Sequence, residues 1–373
     1  MLRTLVAILV FLAGPVALAQ QPPSVIARAW VLADLSSGQI LAAEKPDERF
    51  EPASLTKLMT AYVVFGALKD KKIVLDQQVT VSERTRRAPG ARMFVDPRKP
   101  VSVEELIRGV VVQSGNDACI ALAELIAGAE EAFAGLMNRE AARLGMKNTK
   151  FMNSSGLPDP QHYSTARDLQ VLAAALIRDF PAQYGQYYSQ KEFRYNNITQ
   201  PNRNRLLWLD PTVDGVKTGF TEAAGYCLIA SSKRGPRRLL SVLLGSTSES
   251  TRAQESQKLL NWGFQFFDAV KVYGEGQAVK EIEVWKGEKR QLKAGFQSEL
   301  VLTVPKGQAD KIKGELATQS PLIAPVSAGQ RVGSLRVSLD GKSAGEYPVY
   351  ALESIAEAGF LSRAWDTLRL WIQ

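Results

Sequence analysis

The chain of 373 residues carries one histidine, His162, and two cysteines, Cys119 and Cys227. That poverty disfavours a zinc site and rules out a disulfide framework. A cysteine nucleophile would have only His162 for a base, so a Cys/His enzyme is also disfavoured. Two buried free thiols are the expected state of the cysteines, with a disulfide as the alternative. His162 sits in a loop and is read as structural or loop-exposed rather than catalytic. Neither end of the chain has an apolar run long enough to span a membrane. There is no long repeat and no low-complexity tract, and neither a metal nor a cofactor is expected. The formal charge, 46 − 38 = +8, is spread over scattered basic residues without a nucleic-acid module, so no nucleic-acid partner is expected. A mild attraction to an anionic envelope is the simpler meaning of the charge.

The length suits two domains and a well-buried core. Residues 1–19 read as a secretory signal: Arg3 is the charged start, Leu5 to Leu12 the apolar stretch, and Ala17-Leu18-Ala19 the cleavage site. An uncleaved anchor is the alternative. A first domain over residues 24–269 mixes helical and strand-like segments. A hairpin is expected over Ala27 to Ala43. Helices are expected from about Pro52 to Leu68, from Val103 to Val112, from Asp117 to Ala127 and over Glu130 to Leu144, which ends at Gly145. Strands follow over Val213 to Gly219, Tyr226 to Ser231 and Leu239 to Leu244, then a helix over Thr251 to Phe267. Residues 273–350 change character to short alternating runs such as Leu300-Val301-Leu302-Thr303-Val304, which suits a small β-sandwich serving as a spacer or interaction domain.

Three short motifs carry the chemistry: Ser54-Leu55-Thr56-Lys57, then Ser114-Gly115-Asn116, then Lys217-Thr218-Gly219. On a helix, residues three apart share a face, so Ser54 and Lys57 can meet. A lysine becomes a useful base when it is desolvated or crowded by another cation, and Lys217 can supply that cation. Each motif has a plain alternative: an N-cap serine with a surface lysine, an inter-helix turn, and a strand end with a glycine turn.

The flanking residues strengthen the set. Glu51-Pro52-Ala53-Ser54-Leu55-Thr56-Lys57-Leu58-Met59-Thr60, Ser114-Gly115-Asn116-Asp117-Ala118 and Asp214-Gly215-Val216-Lys217-Thr218-Gly219-Phe220-Thr221 resemble the penicillin-recognising serine enzymes. With Ser-Gly-Asn in the middle motif, the chain resembles the low-molecular-mass penicillin-binding proteins, the D-alanyl-D-alanine carboxypeptidases. The resemblance implies an α+β fold: a β-lactamase/transpeptidase-like catalytic domain, with helices packed on an antiparallel sheet, then an all-β sandwich and a C-terminal amphipathic helix. It implies Ser54 as nucleophile, Lys57 as base and Ser114 as proton relay. Asn116 would bind the substrate amide, Lys217 would tune the network, Thr218 would bind the carboxylate or backbone, and Gly219 would allow close approach. The backbone N–H groups of Ser54 and Phe220 would form the oxyanion hole. Phe220 departs from the histidine that several relatives carry after Lys-Thr-Gly. Arg252 resembles a position that contacts the terminal carboxylate, a surface arginine being the alternative.

The implied partners are peptidoglycan pentapeptides ending in D-Ala-D-Ala, with β-lactams as inhibitors. A β-lactamase, a D,D-endopeptidase or transpeptidase, and a non-catalytic envelope scaffold remain as alternatives. The stretch from Met146 to Thr165 contains no glutamate, which disfavours a class A β-lactamase. In residues 352–373, Phe360, Leu361, Ala364, Trp365, Leu368, Trp371 and Ile372 recur at helical spacing, flanked by Arg363 and Arg369. That pattern suits a helix lying in a membrane interface, and related carboxypeptidases end in such an anchor. A helix docked on the protein's own core is the alternative. The expected location is periplasmic, peripheral on the outer face of the inner membrane.

Overall fold

The computed structural model describes residues 21–318 and 320–372. The expected signal segment, residues 1–19, lies outside the described residues.

Strands β1 (Ala29–Asp34) and β2 (Gln39–Glu44) form the expected hairpin, turned at Gly38 with φ +74°. They join β3 (Val213–Thr221), β4 (Gly225–Arg234) and β5 (Arg237–Ser246) in a five-stranded antiparallel sheet of order β2-β1-β5-β4-β3. Every residue of β1 is buried. Side chains alternate between faces along a strand, and here both faces are covered. Val31, Val242 and Leu244 enter the core shared with helices α1 (Lys57–Lys69) and α5 (Ala166–Asp179). Trp30, Leu32 and Leu243 enter a second core under α6 (Glu249–Phe266). A continuous apolar run such as Trp30-Val31-Leu32 is what a strand buried on both sides requires.

Helix α1 is apolar on nearly all sides, with Leu58, Met59, Val64 and Phe65 fully buried. Such a helix must run through the interior. Around it lie α2 (Val103–Arg108), α3 (Asn116–Ala127) and α4 (Glu130–Leu144). Local chemistry sets their ends. Ser102 and Glu105 close a capping box on α2, Thr165 caps α5, and Ser248 caps α6. Left-handed Gly128 and Gly145 stop α3 and α4. The helix expected through Val112 changes winding, since Gly109–Gln113 forms a π-turn. A π-turn admits the extra residue needed before the sharp bend at Ser114.

The second unit begins with β6 (Phe267–Tyr273), directly after α6. It pairs with β9 (Leu300–Pro305), while a six-stranded sheet contains β7 (Ala278–Trp285), β8 (Gln291–Gly295), β12 (Arg331–Leu339) and β13 (Lys342–Ala351). The six-stranded sheet also takes in β10 (Ile312–Thr318) and β11 (Leu322–Ile323). Val284, Leu292, Leu302 and Val349 share one apolar core. The two units meet through a buried polar joint. Asp34, fully buried, accepts hydrogen bonds from Arg237 Nε at 2.6 Å and from Thr303 Oγ1 at 2.9 Å. Gln39 Oε1 accepts the Thr303 N–H at 2.6 Å.

Helix α7 (Phe360–Ile372) follows the last strand. It touches the β-unit on one side only. Asp366, buried, accepts the Lys286 N–H at 2.8 Å, and Arg369 lies 5.8 Å from the Trp285 ring centre. The apolar face points away: Leu361 is 83 % exposed and Trp371 89 %. Among the described residues no helix is long and apolar enough to cross a membrane.

Candidate active site

Ser54 lies in a 3₁₀ turn, Ala53–Thr56, immediately before α1. The expectation of a first α-helical turn is corrected by one winding class. The turn begins at Ala53, whose φ of +47° is left-handed, a conformation costing a non-glycine residue about 1 kcal/mol. No side chain caps this turn, so the N-cap alternative for Ser54 fails. Instead Lys57 Nζ donates to Ser54 Oγ at 2.9 Å.

Lys57 is fully buried, and burial pulls its pKa down to about 8. Its second acceptor is the Ser155 carbonyl, at 2.6 Å. This partner belongs to the loop after α4, where Asn153 Oδ1 accepts the N–H groups of Gly156 at 2.7 Å and Leu157 at 3.1 Å. Gly156 has φ +84° and presses on the Ala53 carbonyl so closely that a Cβ would sit 1.8 Å from that oxygen. The loop and the serine turn therefore form one packed body.

Ser114 also has left-handed backbone, at φ 61°. Lys217 Nζ donates to its Oγ at 2.8 Å. Lys217 is buried, and its pKa falls well below the ordinary value through burial first and the nearby Lys57 charge second. Two lysines held side by side in low dielectric both favour the neutral amine. Asn116 donates from Nδ2 to the Pro89 carbonyl at 2.6 Å, tying the Ser-Gly-Asn turn to the loop at Gly90 and Ala91. Asp117 Oδ2 accepts the Phe94 N–H at 2.8 Å and holds the same loop.

Strand β3 brings the third motif in. A Cβ on Gly219 would lie 3.2 Å from the Pro52 carbonyl, a tight contact, so glycine eases the close passage of the strand beside the serine turn. Thr221 Oγ1 donates to Glu51 Oε2 at 3.0 Å and fastens the same edge. Phe220 is 44 % exposed and lies on Tyr226 with ring centres 4.5 Å apart.

A cavity of about 340 Å³ opens among these elements, lined by Ser54, Ser114, Asn116, Thr218, Gly219 and Phe220. Arg252 is not a surface arginine. It is 5 % exposed, lines the cavity, and donates from Nη1 to the Gly219 carbonyl at 3.3 Å. Every proposed site residue thus reaches this cleft or, for Lys57 and Lys217, stands behind its lining. Arg203, Tyr226, Ser155 and Glu249 also border it and were not singled out from sequence. Among the described residues lining the cleft, Glu249 is the one carboxylate, and it pairs with Arg252 at 3.6 Å.

His162 is buried rather than loop-exposed. In its neutral form Nδ1 accepts the Met152 N–H at 3.4 Å and Nε2 shares a hydrogen bond with Thr56 Oγ1 at 2.9 Å. Burial lowers its pKa to about 4, so it stays neutral at physiological pH. Cys119 and Cys227 are both buried free thiols, and burial raises them to about 12 and about 11.

Residues 16–248 match the family model described as D-alanyl-D-alanine carboxypeptidase, and residues 267–357 match the C-terminal domain of penicillin-binding protein 5. The chain is 45% identical to the D-alanyl-D-alanine carboxypeptidase DacC of Escherichia coli, over 95% of this chain and 92% of that one. It is 43% identical to DacA of Haemophilus influenzae, over 94% and 91%. The crystal structure of penicillin binding protein 5 from Haemophilus influenzae superposes with a TM-score of 0.87 at 42% identity, covering 91% of this chain and 100% of that one.

Proposed function

Because this chain belongs to the D-alanyl-D-alanine carboxypeptidase family, we propose that Ser54 is the residue acylated in its reaction and that Lys57 is the base. The chain is a serine-type hydrolase, a low-molecular-mass penicillin-binding protein acting on D-Ala-D-Ala termini of peptidoglycan.

The observation that carries the residue roles is the 2.9 Å contact between Ser54 Oγ and a buried lysine whose pKa has fallen to about 8. A neutral amine at that distance can take the hydroxyl proton as the oxygen attacks. The oxyanion then lies between the backbone N–H groups of Ser54 and Phe220, which the close passage of Gly219 brings together. Ser114, held by Lys217, returns a proton to the departing D-alanine amine. Asn116 and Thr218 hold the peptide, and Arg252 attracts its terminal carboxylate. Water then hydrolyses the acyl-enzyme. β-Lactams enter the same path and acylate the same oxygen.

We further propose that the chain is exported and acts in the periplasm, with α7 lying on the outer face of the inner membrane. The exposed Leu361, Trp365, Leu368 and Trp371 support that reading.

Intact-mass spectrometry with benzylpenicillin, run beside a D-alanine release assay on a D-Ala-D-Ala peptide, tests the proposal. A stable adduct that disappears in Ser54→Ala, together with D-alanine release, is expected. Rapid penicillin turnover without D-alanine release would make the protein a β-lactamase. No adduct and no release would leave a scaffold.

A further inference from the structure

Glu130, in the first turn of α4, is buried yet takes part in none of the contacts assigned above. Its Oε1 accepts two hydrogen bonds from Ser154, from the N–H at 3.0 Å and from Oγ at 2.6 Å. Its Oε2 accepts from Arg84 Nη2 at 2.9 Å. The Ser154 carbonyl is held from the opposite side by Thr60 Oγ1 at 2.5 Å. The next carbonyl along the chain is that of Ser155, the acceptor for Lys57. Glu130 therefore stands one peptide unit from the oxygen that holds the lysine.

Asn153 gives the loop its internal shape, but it lies within the loop and cannot fix the loop against the helices. That task falls to Asn138, which pairs with the Phe151 backbone at 2.7 and 2.8 Å, to Thr60, to the contact of Gly156 with Ala53, and to Glu130. Among these, Glu130 brings the carboxylate.

We infer that Glu130 is a positioning residue for the reaction at Ser54, locking Ser154 so that the Ser155 carbonyl meets Lys57. The inference rests on Lys57 serving Ser54 as base. The same carboxylate has an electrostatic consequence, because a negative charge near a buried amine favours its protonated form. The groups that bear on Lys57 are Asp117 and Cys119 from α3, Lys217 from β3, Arg203 from the segment before β3, His162 from the loop, and Glu130 from α4. Asp117 acts on Lys57 more strongly than Glu130 does but is engaged by the backbone of Met93 and Phe94; Glu130, itself paired with Arg84 at 2.9 Å, is the carboxylate bonded to the lysine's own loop.

The test is the pH dependence of benzylpenicillin acylation in wild type, Glu130→Gln and Glu130→Ala, with melting temperatures measured alongside. Glu130→Gln keeps an acceptor for Ser154 and removes the charge. Its acylation midpoint should move to lower pH by about half a unit, with a plateau near that of wild type. Glu130→Ala frees Ser154 as well, and its plateau should fall by roughly tenfold or more. A merely structural role lowers both melting temperatures and leaves the Glu130→Gln midpoint where wild type has it, and that result overturns the inference. Glu130→Gln reads the charge alone, and a Glu130→Ala plateau equal to that of wild type also overturns the inference; should Glu130→Ala not fold, Ser154→Ala, which removes the 2.6 Å hydroxyl bond to Glu130, supplies the same reading. A wild-type protein that forms no adduct at any pH would instead defeat the Ser54–Lys57 reading itself.

Discussion

Lys217 donates a hydrogen bond to Ser114 across 2.8 Å, from a strand to a left-handed turn. The contact joins the second and third motifs and aims the Ser114 hydroxyl. Lys217→Ala removes the donor that holds Ser114. Acylation by benzylpenicillin should fall by about 10²-fold or more. Stopped-flow rates within a few-fold of wild type would remove Lys217 from the network.

Lys57 makes the reaction pH-dependent in a stated direction. The base must be neutral, and its pKa lies near 8 through burial, so acylation should rise as pH increases through about 8. Stability shares the sign. The folded pKa lies below the unfolded value of about 10.4, so the unfolded chain binds more protons between these values. This lysine's contribution to stability is therefore present above about 10.4 and is lost as pH falls through about 8. A pH–rate profile and urea midpoints across that window check both statements.

Arg252 is nearly buried at the cleft wall. Removing its guanidinium should raise KM for D-Ala-D-Ala peptides by roughly tenfold to a hundredfold, the scale of one charge-assisted hydrogen bond. Unchanged steady-state kinetics for Arg252→Ala would dismiss it from substrate binding.

The tail calls for a different assay. Truncation after Gly359 should abolish co-sedimentation with anionic vesicles while leaving penicillin acylation intact. Continued binding of the truncated protein would place membrane affinity elsewhere.

Asp34 is fully buried and shared by Arg237 and Thr303. Asp34→Ala leaves the largely buried Arg237 guanidinium without its carboxylate and should cost about 3 kcal/mol. Differential scanning calorimetry should show a lower melting temperature, and a superimposable wild-type trace would refute the importance of the joint.

The motif serines and lysines were legible because their chemistry lives in side chains at fixed spacing. The hairpin at Gly38 and the helix stop at Gly145 were legible because glycine and local periodicity mark them. The Ser155 carbonyl was not, since a backbone acceptor leaves no mark on its own residue. The run Asn153-Ser154-Ser155-Gly156 does carry the composition of a side-chain-closed turn, but its target depends on tertiary packing. The π-turn at Gly109 was hidden because Val110, Val111 and Val112 read equally well as ordinary helix. From its place in a loop His162 read equally as structural or as loop-exposed, and Phe151 and Thr56 enclose it. The Asp34 joint was invisible because its partner Thr303 lies 269 positions away.

That joint also decides how the enzyme explores its surroundings. Two units on a slack tether would let the cleft swivel independently of the tail. With Thr303 fastened to the hairpin at Asp34 and Gln39, swivelling at this joint has to break buried hydrogen bonds, which resists it. To the extent that the joint holds, a surface gripping the far end also restrains the bearing of Ser54.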